Sequence, residues 1–169
     1  MASLLRNGGR RVWLTGASSG IGRSLLELLV QQGNQVIITS RNIDELELIR
    51  QRNPQQIDTL VADISLPDSA QSMASGLRKI TGALDTVILN AGTCEYVDIN
   101  SFKADLFDRV LQANFLGTVR CIEASLELLK SGESPHLVGL SSAAAITGLP
   151  RAEAYGASKA AISSLFESL

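Results

Sequence analysis

A glycine-rich turn between a strand-like run and a helix-like run constrains this chain more than any other feature. Residues 15–22 read TGASSGIG and follow RVWLT at residues 11–15, a short run that suits a β-strand. The next segment carries apolar residues at helical spacing and stops at Gly33-Asn34. Its proposed apolar stripe consists of Ile21, Leu25, Leu28 and Leu29. This order predicts a strand, a tight turn and a helix, which is the start of a βαβ unit.

The spacing of the three glycines is a variant of the dinucleotide-binding fingerprint. One glycine lets the backbone turn sharply, another lets it approach a pyrophosphate, and a third lets helix and strand pack closely. The free N–H groups and positive dipole end of the helix then favour phosphate. A plain glycine-rich turn is the alternative interpretation. The candidate cofactor-binding residues of this loop are Gly16, Ser18, Ser19, Gly20, Ile21 and Gly22.

Strand and helix patterns alternate along all 169 residues, with no repeat or linker between them. Strands are predicted at 11–15, 35–39, 57–62, 84–89 and 136–140. Helices are predicted at 21–32, 44–52, 67–80, 102–130 (one long helix or two that abut) and from 153 to the last residue. This alternation predicts an α/β fold with a doubly wound, Rossmann-type parallel sheet, formed by residues 1–169 as a single domain.

Composition argues against several classes of protein. Apolar residues make up 45% of the chain and the net charge is −2, which is atypical of a disordered chain. The sequence has no stripe of Lys and Arg residues of the kind that binds nucleic acids. It also has no apolar run that approaches the ~20 residues of a membrane span. The N-terminal MASLLRNGGRR does not resemble a secretory signal. Cys94 and Cys121 lack metal-ligand spacing, so we expect free thiols in a reducing cytoplasm, with a disulfide as the alternative.

The ends of the second, third and fourth strands provide further cofactor candidates. The second strand ends in Ser40-Arg41 without an acidic residue, which favours a 2′-phosphate and therefore NADP(H) over NAD(H). Arg41 as an ordinary solvated loop residue is the alternative. The third strand ends in Asp63-Ile64, which could bind and cover an adenine ring, and the fourth in Asn90-Ala91-Gly92, which permits close approach. Each of these segments, taken alone, is also typical of a turn.

Candidate catalytic residues follow the fifth strand. Tyr155 and Lys159 are four residues apart on a predicted helix and therefore share a face. A neighbouring ammonium favours the phenolate form of a tyrosine, so that the phenol can exchange a proton near neutral pH. Ser142, at the end of the fifth strand, can hold a substrate oxygen on which charge develops.

Together these motifs resemble the short-chain dehydrogenase/reductase family from about Arg11 to Leu169. TGASSGIG is similar to its cofactor loop, Asn90-Ala91-Gly92 to its fourth-strand motif, and Tyr155-Gly156-Ala157-Ser158-Lys159 to its active-site Y-x-x-x-K. The resemblance implies that Ser142 is the catalytic serine. It also implies that Asn114 completes a tetrad through a helix irregularity that holds a water in a proton relay to the lysine.

Length is where the sequence departs from this family, whose members usually reach roughly 250 residues. The last predicted helix has no stop signal at Leu169, so we expect the natural chain to continue and the 169 residues alone to turn over little. The resemblance implies two further strands and a homo-oligomer, either a dimer or a tetramer.

We therefore expect an NADP(H)-dependent oxidoreductase that interconverts a small-molecule carbonyl and an alcohol. It would not use a metal, a nucleic acid or a membrane. A non-catalytic nucleotide-binding or regulatory module on the same fold is one alternative. An isomerase or dehydratase that uses Tyr155 and Lys159 is the other.

Overall fold

The computed structural model describes residues 8–169, so most of the N-terminal segment assessed above lies outside the described residues. In this described part of the chain, five parallel strands form one sheet in the order β3-β2-β1-β4-β5. The strands are β1 (Arg11–Thr15), β2 (Gln35–Ser40), β3 (Ile57–Val61), β4 (Thr86–Leu89) and β5 (His136–Gly139). The order reverses between β1 and β4, which is the switch point where α/β sheets bind ligands. The predicted doubly wound parallel sheet is confirmed.

Within residues 8–169, six α-helices connect and follow the strands. They are α1 (Gly20–Gln31), α2 (Ile43–Arg50), α3 (Ser69–Ile80), α4 (Ala104–Leu111), α5 (Gly117–Lys130) and α6 (Glu153–Ser168). A π-helical turn, Gln112–Leu116, joins α4 to α5, so the long helical stretch is two abutting helices with an irregularity between them. None of the helices between residues 8 and 169 has the combination of length and apolarity that a bilayer crossing demands.

Alternate side chains of the central strand β1 pack into two layers. On β1, Val12 and Leu14 pack in one apolar cluster with residues of α1 and α2. Trp13 packs in the other cluster with residues of α3 and α5. The indole of Trp13 is fully buried and donates from Nε1 to Thr39 Oγ1 at 2.8 Å. Because both faces of the sheet are covered at β1, this strand is apolar on both sides.

The proposed stripe of α1 was wrong at two positions. Ile21 is 72% exposed and Leu28 is 43% exposed, whereas Leu26 and Leu29 are buried. Gly22 accounts for the difference, because it lies against the carbonyl of Gly16 and so fixes which side of the helix faces the sheet. The period of the pattern predicted a helix, but the turn that precedes the helix determines its rotation.

All five strands run in the same direction, so the segments that follow them meet at one edge of the sheet. The glycine loop follows β1, and residues 90–92 follow the neighbouring β4. Ser142 follows β5 and caps a short 3-10 turn at Ala143–Ala145, after which α6 begins. This carboxyl edge therefore contains the candidate site.

Candidate functional site

The glycine loop approaches the segment after β4 so closely that side chains do not fit between them. Gly16 has φ +71° and Gly20 has φ +53°, values that L-residues rarely adopt. A Cβ at Gly16 would lie 2.8 Å from Ala91 Cα, and one at Gly22 would collide with the Gly16 carbonyl. The loop is thereby held as a flat backbone surface at the start of α1.

A cleft of about 380 Å³ opens above this loop, between the ends of β1, β2, β3 and β4. It is lined by most of the cofactor candidates, namely Gly16, Ser18, Ser19, Ile21, Gly22, Ser40, Arg41, Asp63, Ile64, Asn90, Ala91 and Gly92. Thr15, Thr39, Ala62 and Ser65 also line it. The structure thus brings four separate sequence segments to one cavity.

The N-terminus of α1 presents uncapped backbone to the cleft. Ser19 occupies the N-cap position, but its side chain makes no capping hydrogen bond. By contrast, Asn42 at the N-cap of α2 accepts from the backbone N–H groups of Asp44 and Glu45 at 3.0 and 3.2 Å. First-turn N–H groups without a side-chain partner carry partial positive charge, so this end of α1 is suited to an anion.

Opposite charges face each other at the β2–β3 end of the cleft. Arg41 is 78% exposed, and its Nη1 lies 3.8 Å from Asp63 Oδ2. Asp63 Oδ1 accepts from the backbone N–H of Ser65 at 2.9 Å and from its hydroxyl at 2.6 Å. Burial alone would raise the pKa of Asp63, but the Ser65 hydrogen bonds and the Arg41 charge outweigh it and lower that pKa. Asp63 is therefore a fixed carboxylate, whereas Arg41 has few restraints.

Ile64 is fixed from the opposite side by α5. A Cβ at Gly117 would lie 2.9 Å from Ile64 Cγ1, so a glycine in the helix makes room for this side chain. Arg120 Nη1 donates to the carbonyls of Ile64 and Ser65 at 3.3 and 3.1 Å. These contacts hold the Asp63–Ser65 segment in place at the cleft.

Asn90 lines the cleft and also fixes two of its segments to each other. Its Nδ2 donates to the carbonyls of Thr15 and Gly16 at 3.2 and 2.9 Å. Thr15 Oγ1 in turn accepts from the backbone N–H groups of Asn90 and Ala91, both at 3.1 Å. The end of β4 and the start of the glycine loop are therefore fixed to each other, and Ala91 and Gly92 supply the open surface.

Tyr155 and Lys159 lie on one face of α6, as their spacing predicts. Lys159 is only 4% exposed, and its Nζ donates to the carbonyl of Leu140 at 2.8 Å. The same Nζ lies 5.7 Å from the centroid of the Tyr155 ring. Burial lowers the pKa of the Lys159 ammonium. A Cβ at Gly92 would lie 3.6 Å from Nζ, so the lysine reaches the segment that lines the cleft.

Ser142 enters the same region from the end of β5. Its Oγ accepts from the backbone N–H of Ala144 at 3.2 Å, which leaves its hydroxyl proton available for another acceptor. The 3-10 turn that it caps packs against α6, where a Cβ at Gly156 would lie 3.0 Å from the Ala144 carbonyl. Ser142 and Tyr155 are thus carried by two tightly packed segments.

Asn114 lies in the π-helical turn and is fully buried. Its side chain pairs with the backbone of Thr93, because Oδ1 accepts from the N–H at 2.7 Å and Nδ2 donates to the carbonyl at 2.9 Å. Its own carbonyl accepts from Thr118 Oγ1 at 2.7 Å. The irregularity that the family resemblance implied is therefore present at this residue.

Several residues of the site escaped the sequence analysis. The Thr15 hydroxyl accepts from two backbone N–H groups, the Thr93 backbone pairs with Asn114, and Ser65 fixes the Asp63 carboxylate. Ser158 bonds to Asn114, as described below. Each lies next to a segment that the sequence singled out, but hydroxyl residues are common there and spacing alone gives no signal. Among residues 8–169 no group of three potential metal-ligating side chains comes together.

Comparison with known proteins identifies the family to which this chain is similar. The model of the short chain dehydrogenase family matches residues 10–169. An uncharacterized oxidoreductase of Staphylococcus epidermidis is 30% identical over 156 residues, which cover 92% of this chain and 68% of that protein.

Two of the solved structures that match this chain illustrate the shared fold. The Pseudomonas aeruginosa RhlG/NADP active-site complex gives a TM-score of 0.90 at 28% identity, over 98% of this chain and 67% of that one. Thermoplasma acidophilum aldohexose dehydrogenase in ligand-free form gives a TM-score of 0.82 at 27% identity. The match covers 95% of this chain and 60% of that one. The chain thus spans about two thirds of the length of these relatives. It belongs to the short-chain dehydrogenase family of oxidoreductases.

Proposed function

We propose that this chain carries the cofactor cleft and the proton-transfer residues of an NADP(H)-dependent oxidoreductase that interconverts a carbonyl and an alcohol. The observation that carries the proposal is the position of Lys159. It is buried, held by the Leu140 carbonyl, close to the Tyr155 ring and adjacent to Gly92 at the cleft. A buried ammonium between a phenol and a nucleotide-sized cavity suits proton transfer better than it suits packing.

The described residues fit a dinucleotide. A cavity of about 380 Å³ lies within the ~300–1,000 Å³ typical of ligand sites. Gly16 and Gly22 leave a surface that any Cβ would fill, so a pyrophosphate can approach the backbone there. The uncapped first turn of α1 supplies N–H donors beside it.

The choice of NADP(H) over NAD(H) rests on the end of β2. Ser40 and Arg41 line the cleft, and no acidic residue follows the strand before Asp44 inside α2. The guanidinium of Arg41 is exposed and makes one long ion pair, so it can turn toward a 2′-phosphate. The RhlG structure was solved as an NADP complex, which supports the same choice. Asp63 and Ile64 would then contact the adenine.

A bound nicotinamide would supply or accept the hydride, and the chain's own residues would manage the proton. Ser142 would donate a hydrogen bond from its hydroxyl to the substrate oxygen. Tyr155 would give or take the proton at that oxygen through its phenolic Oη. Lys159 would favour the phenolate by its charge and would bind the cofactor's ribose with the two N–H groups that Leu140 leaves free. Asn114 would support the proton relay to Lys159.

Location and assembly are part of the same proposal. The thiols of Cys94 and Cys121 are both unpaired, which supports a reducing cytoplasm.

We expect a homo-oligomer, either a dimer or a tetramer, because Ala157 and Ala160 give α6 a small-residue surface that is exposed in the single chain. Analytical ultracentrifugation tests this, and a monomer at micromolar concentration would contradict it.

The decisive experiment uses the protein expressed from its complete reading frame. NADPH and NADH binding would be measured by fluorescence, and NADPH oxidation would be followed with aldehydes and ketones of increasing size. We expect tighter binding of NADPH and turnover of at least one carbonyl. Cofactor binding without turnover of any carbonyl would favour the non-catalytic module, and conversion of substrate without net NADPH consumption would favour an isomerase or dehydratase.

A further inference from the structure

A buried hydrogen-bond network connects three separate segments directly below Tyr155 and Lys159. Asn114 in the π-helical turn contacts the Thr93 backbone with both of its side-chain polar atoms. Its Nδ2 also donates to Ser158 Oγ on α6, at 2.9 Å. Asn114 and Ser158 are both 0% exposed. The network therefore joins the segment after β4, the π-helical turn and α6, and its Asn114–Ser158 part is shielded from water.

Ser158 connects this network to the Tyr155 backbone. Its Oγ donates to the Tyr155 carbonyl at 2.7 Å and accepts from Asn114, so one hydroxyl makes both bonds. Ser158 also precedes Lys159 directly in the chain. Tyr155 and Lys159, the proposed proton-transfer residues, lie on this part of α6. The Ser158 hydroxyl therefore connects it to Asn114, which lies outside the helix.

The network also ends beside the lysine ammonium. A Cβ at Gly92 would lie 3.2 Å from Asn114 Oδ1 and 3.6 Å from Lys159 Nζ, so both atoms border the same small volume. The amide that bonds to Ser158 and the ammonium proposed to act on Tyr155 therefore both lie close to Gly92. Movement of α6 relative to the π-helical turn would shift the phenol and the ammonium relative to the cleft.

We propose that Ser158 is a positioning residue: through Asn114 it holds Tyr155 and Lys159 in register with the cofactor cleft. This proposal rests on the proposed function, because it assigns Ser158 to the same proton-transfer step. Ser158 makes no contact that would require it to exchange a proton with substrate. Its effect comes from geometry, since proton and hydride transfer depend on atoms held within a few tenths of an ångström.

Ser125 provides a matched control. It is also 0% exposed, lies inside α5 and donates from Oγ to the Cys121 carbonyl at 2.8 Å. Ser125→Ala and Ser158→Ala thus both remove a buried hydroxyl that bonds to a carbonyl of its own helix. Only Ser158 is also bonded to Asn114, so the two variants separate loss of helix packing from loss of positioning.

Steady-state kinetics with the best carbonyl substrate is the first test. We expect Ser158→Ala to lower kcat about tenfold to a hundredfold with little change in the NADPH dissociation constant. Ser125→Ala should lower the melting temperature and leave kcat unchanged. The pH profile of kcat should shift in Ser158→Ala only. If Ser158→Ala keeps more than half of kcat with an unchanged pH profile, the proposal is wrong.

A second readout does not depend on activity. With tyrosine labelled with 13C at Cζ, the signals of Tyr155 and of the reference Tyr96 are identified by their loss in Tyr155→Phe and Tyr96→Phe. We expect Ser158→Ala to move the Tyr155 signal and leave the Tyr96 signal in place, whereas Ser125→Ala moves neither. If the wild-type protein turns over no carbonyl, the proposed function fails. The tyrosine signals then decide the positioning role alone, and an unmoved Tyr155 signal would overturn it.

A variant that keeps a polar atom at the γ position covers the case in which Ser158→Ala does not fold. Ser158→Cys replaces the hydroxyl with a larger thiol that is a weaker donor and acceptor. The same loss of kcat and the same movement of the Tyr155 signal are expected. Wild-type kinetics and an unmoved Tyr155 signal in this variant would contradict the proposal.

Discussion

Polar groups at the two edges of the sheet differ in how many hydrogen bonds they make within the protein. At the amino edge, Asp85 is 4% exposed and each of its carboxylate oxygens accepts two hydrogen bonds. Oδ2 accepts from the Arg11 backbone N–H and Nε, and Oδ1 accepts from Arg11 Nη2 and the Glu133 N–H. At the carboxyl edge, the N-cap Ser19 makes no capping bond and Arg41 is 78% exposed.

The difference separates stability from function within one fold. The amino edge joins the starts of β1, β4 and β5 through groups that satisfy one another, which favours the folded state. At the carboxyl edge, the first-turn N–H groups of α1 have no side-chain cap and Arg41 makes one long ion pair, so these donors are suited to a ligand. Substitutions at the first edge should therefore change the free energy of unfolding, and those at the second should change binding and turnover.

The largest effect is expected at the proposed proton donor. Tyr155→Phe keeps the ring but removes the phenolic Oη, so we expect kcat to fall by about 10²–10⁴ with cofactor binding nearly intact. Steady-state NADPH oxidation measures it. Tyr96→Phe is the matched control, because that ring is 68% exposed and lies outside the cleft. If Tyr155→Phe keeps more than about a tenth of the wild-type rate, Tyr155 does not have this role.

Cofactor choice should depend on Arg41. Arg41→Asp removes a guanidinium and adds a negative charge beside Asp63, which should weaken NADPH binding relative to NADH. The difference corresponds to one charge-assisted hydrogen bond, about 1.5–3 kcal/mol, or roughly tenfold to a hundredfold in the ratio of dissociation constants. Arg52→Asp makes the same charge change away from the cleft and should leave the ratio unchanged. Equal ratios in both variants would mean that Arg41 is an ordinary solvated residue.

At the amino edge we expect a change in stability instead. Burial by itself would raise the pKa of Asp85, but hydrogen bonds from Arg11 and Glu133 outweigh it and lower this pKa from 3.8 to about 2. A lowered carboxyl pKa stabilises the fold at pH values above its unfolded value near 4, by about 2 kcal/mol. This contribution should be lost as the pH falls from about 4 to about 2.

Asp85→Asn tests this contribution at the level of one residue. We expect the free energy of unfolding to fall by about 2 kcal/mol at pH 7 and the difference from wild type to shrink in acid. Denaturant titrations at pH 7 and pH 3 measure both values. Asp58→Asn makes the same change on an exposed part of β3 and should have little effect. NADPH binding should not change in either variant, and a loss of binding in Asp85→Asn would break the separation of the two edges.

The sequence predicted the fold in detail because its signals are local. β1 was predicted at its observed bounds, and the helix after β1 within one residue, since apolar runs and glycine turns determine them. The fourth strand begins at Thr86 instead of residue 84, because Leu84 N–H bonds to the Leu128 carbonyl before the ladder starts. The exposed side of α1 could not be read from its pattern, because the contact between Gly22 and Gly16 fixes its rotation.

The candidate site was predictable to a different degree. Motifs located the residues that line the cleft, because glycines and strand ends have positional meaning in this fold. They did not reveal that the Asn90 side chain would donate hydrogen bonds to the carbonyls of Thr15 and Gly16. Nor did they reveal that Ser158 would accept a hydrogen bond from Asn114. These contacts join residues more than 40 positions apart, and only the folded chain brings them together.

The smallest expected effect compares two helix starts at the same edge. Asn42 caps α2 with two hydrogen bonds, whereas Ser19 makes none at the start of α1. Asn42→Ala should therefore lower the free energy of unfolding by about 1 kcal/mol, as loss of an N-cap does. Ser19→Ala should change it by much less, but should weaken NADPH binding if the Ser19 hydroxyl contacts a phosphate. Denaturant unfolding with and without NADPH separates the two. An equal loss of stability in both variants would show that Ser19 is a structural cap, and that α1 does not present a free N-terminus to the cofactor.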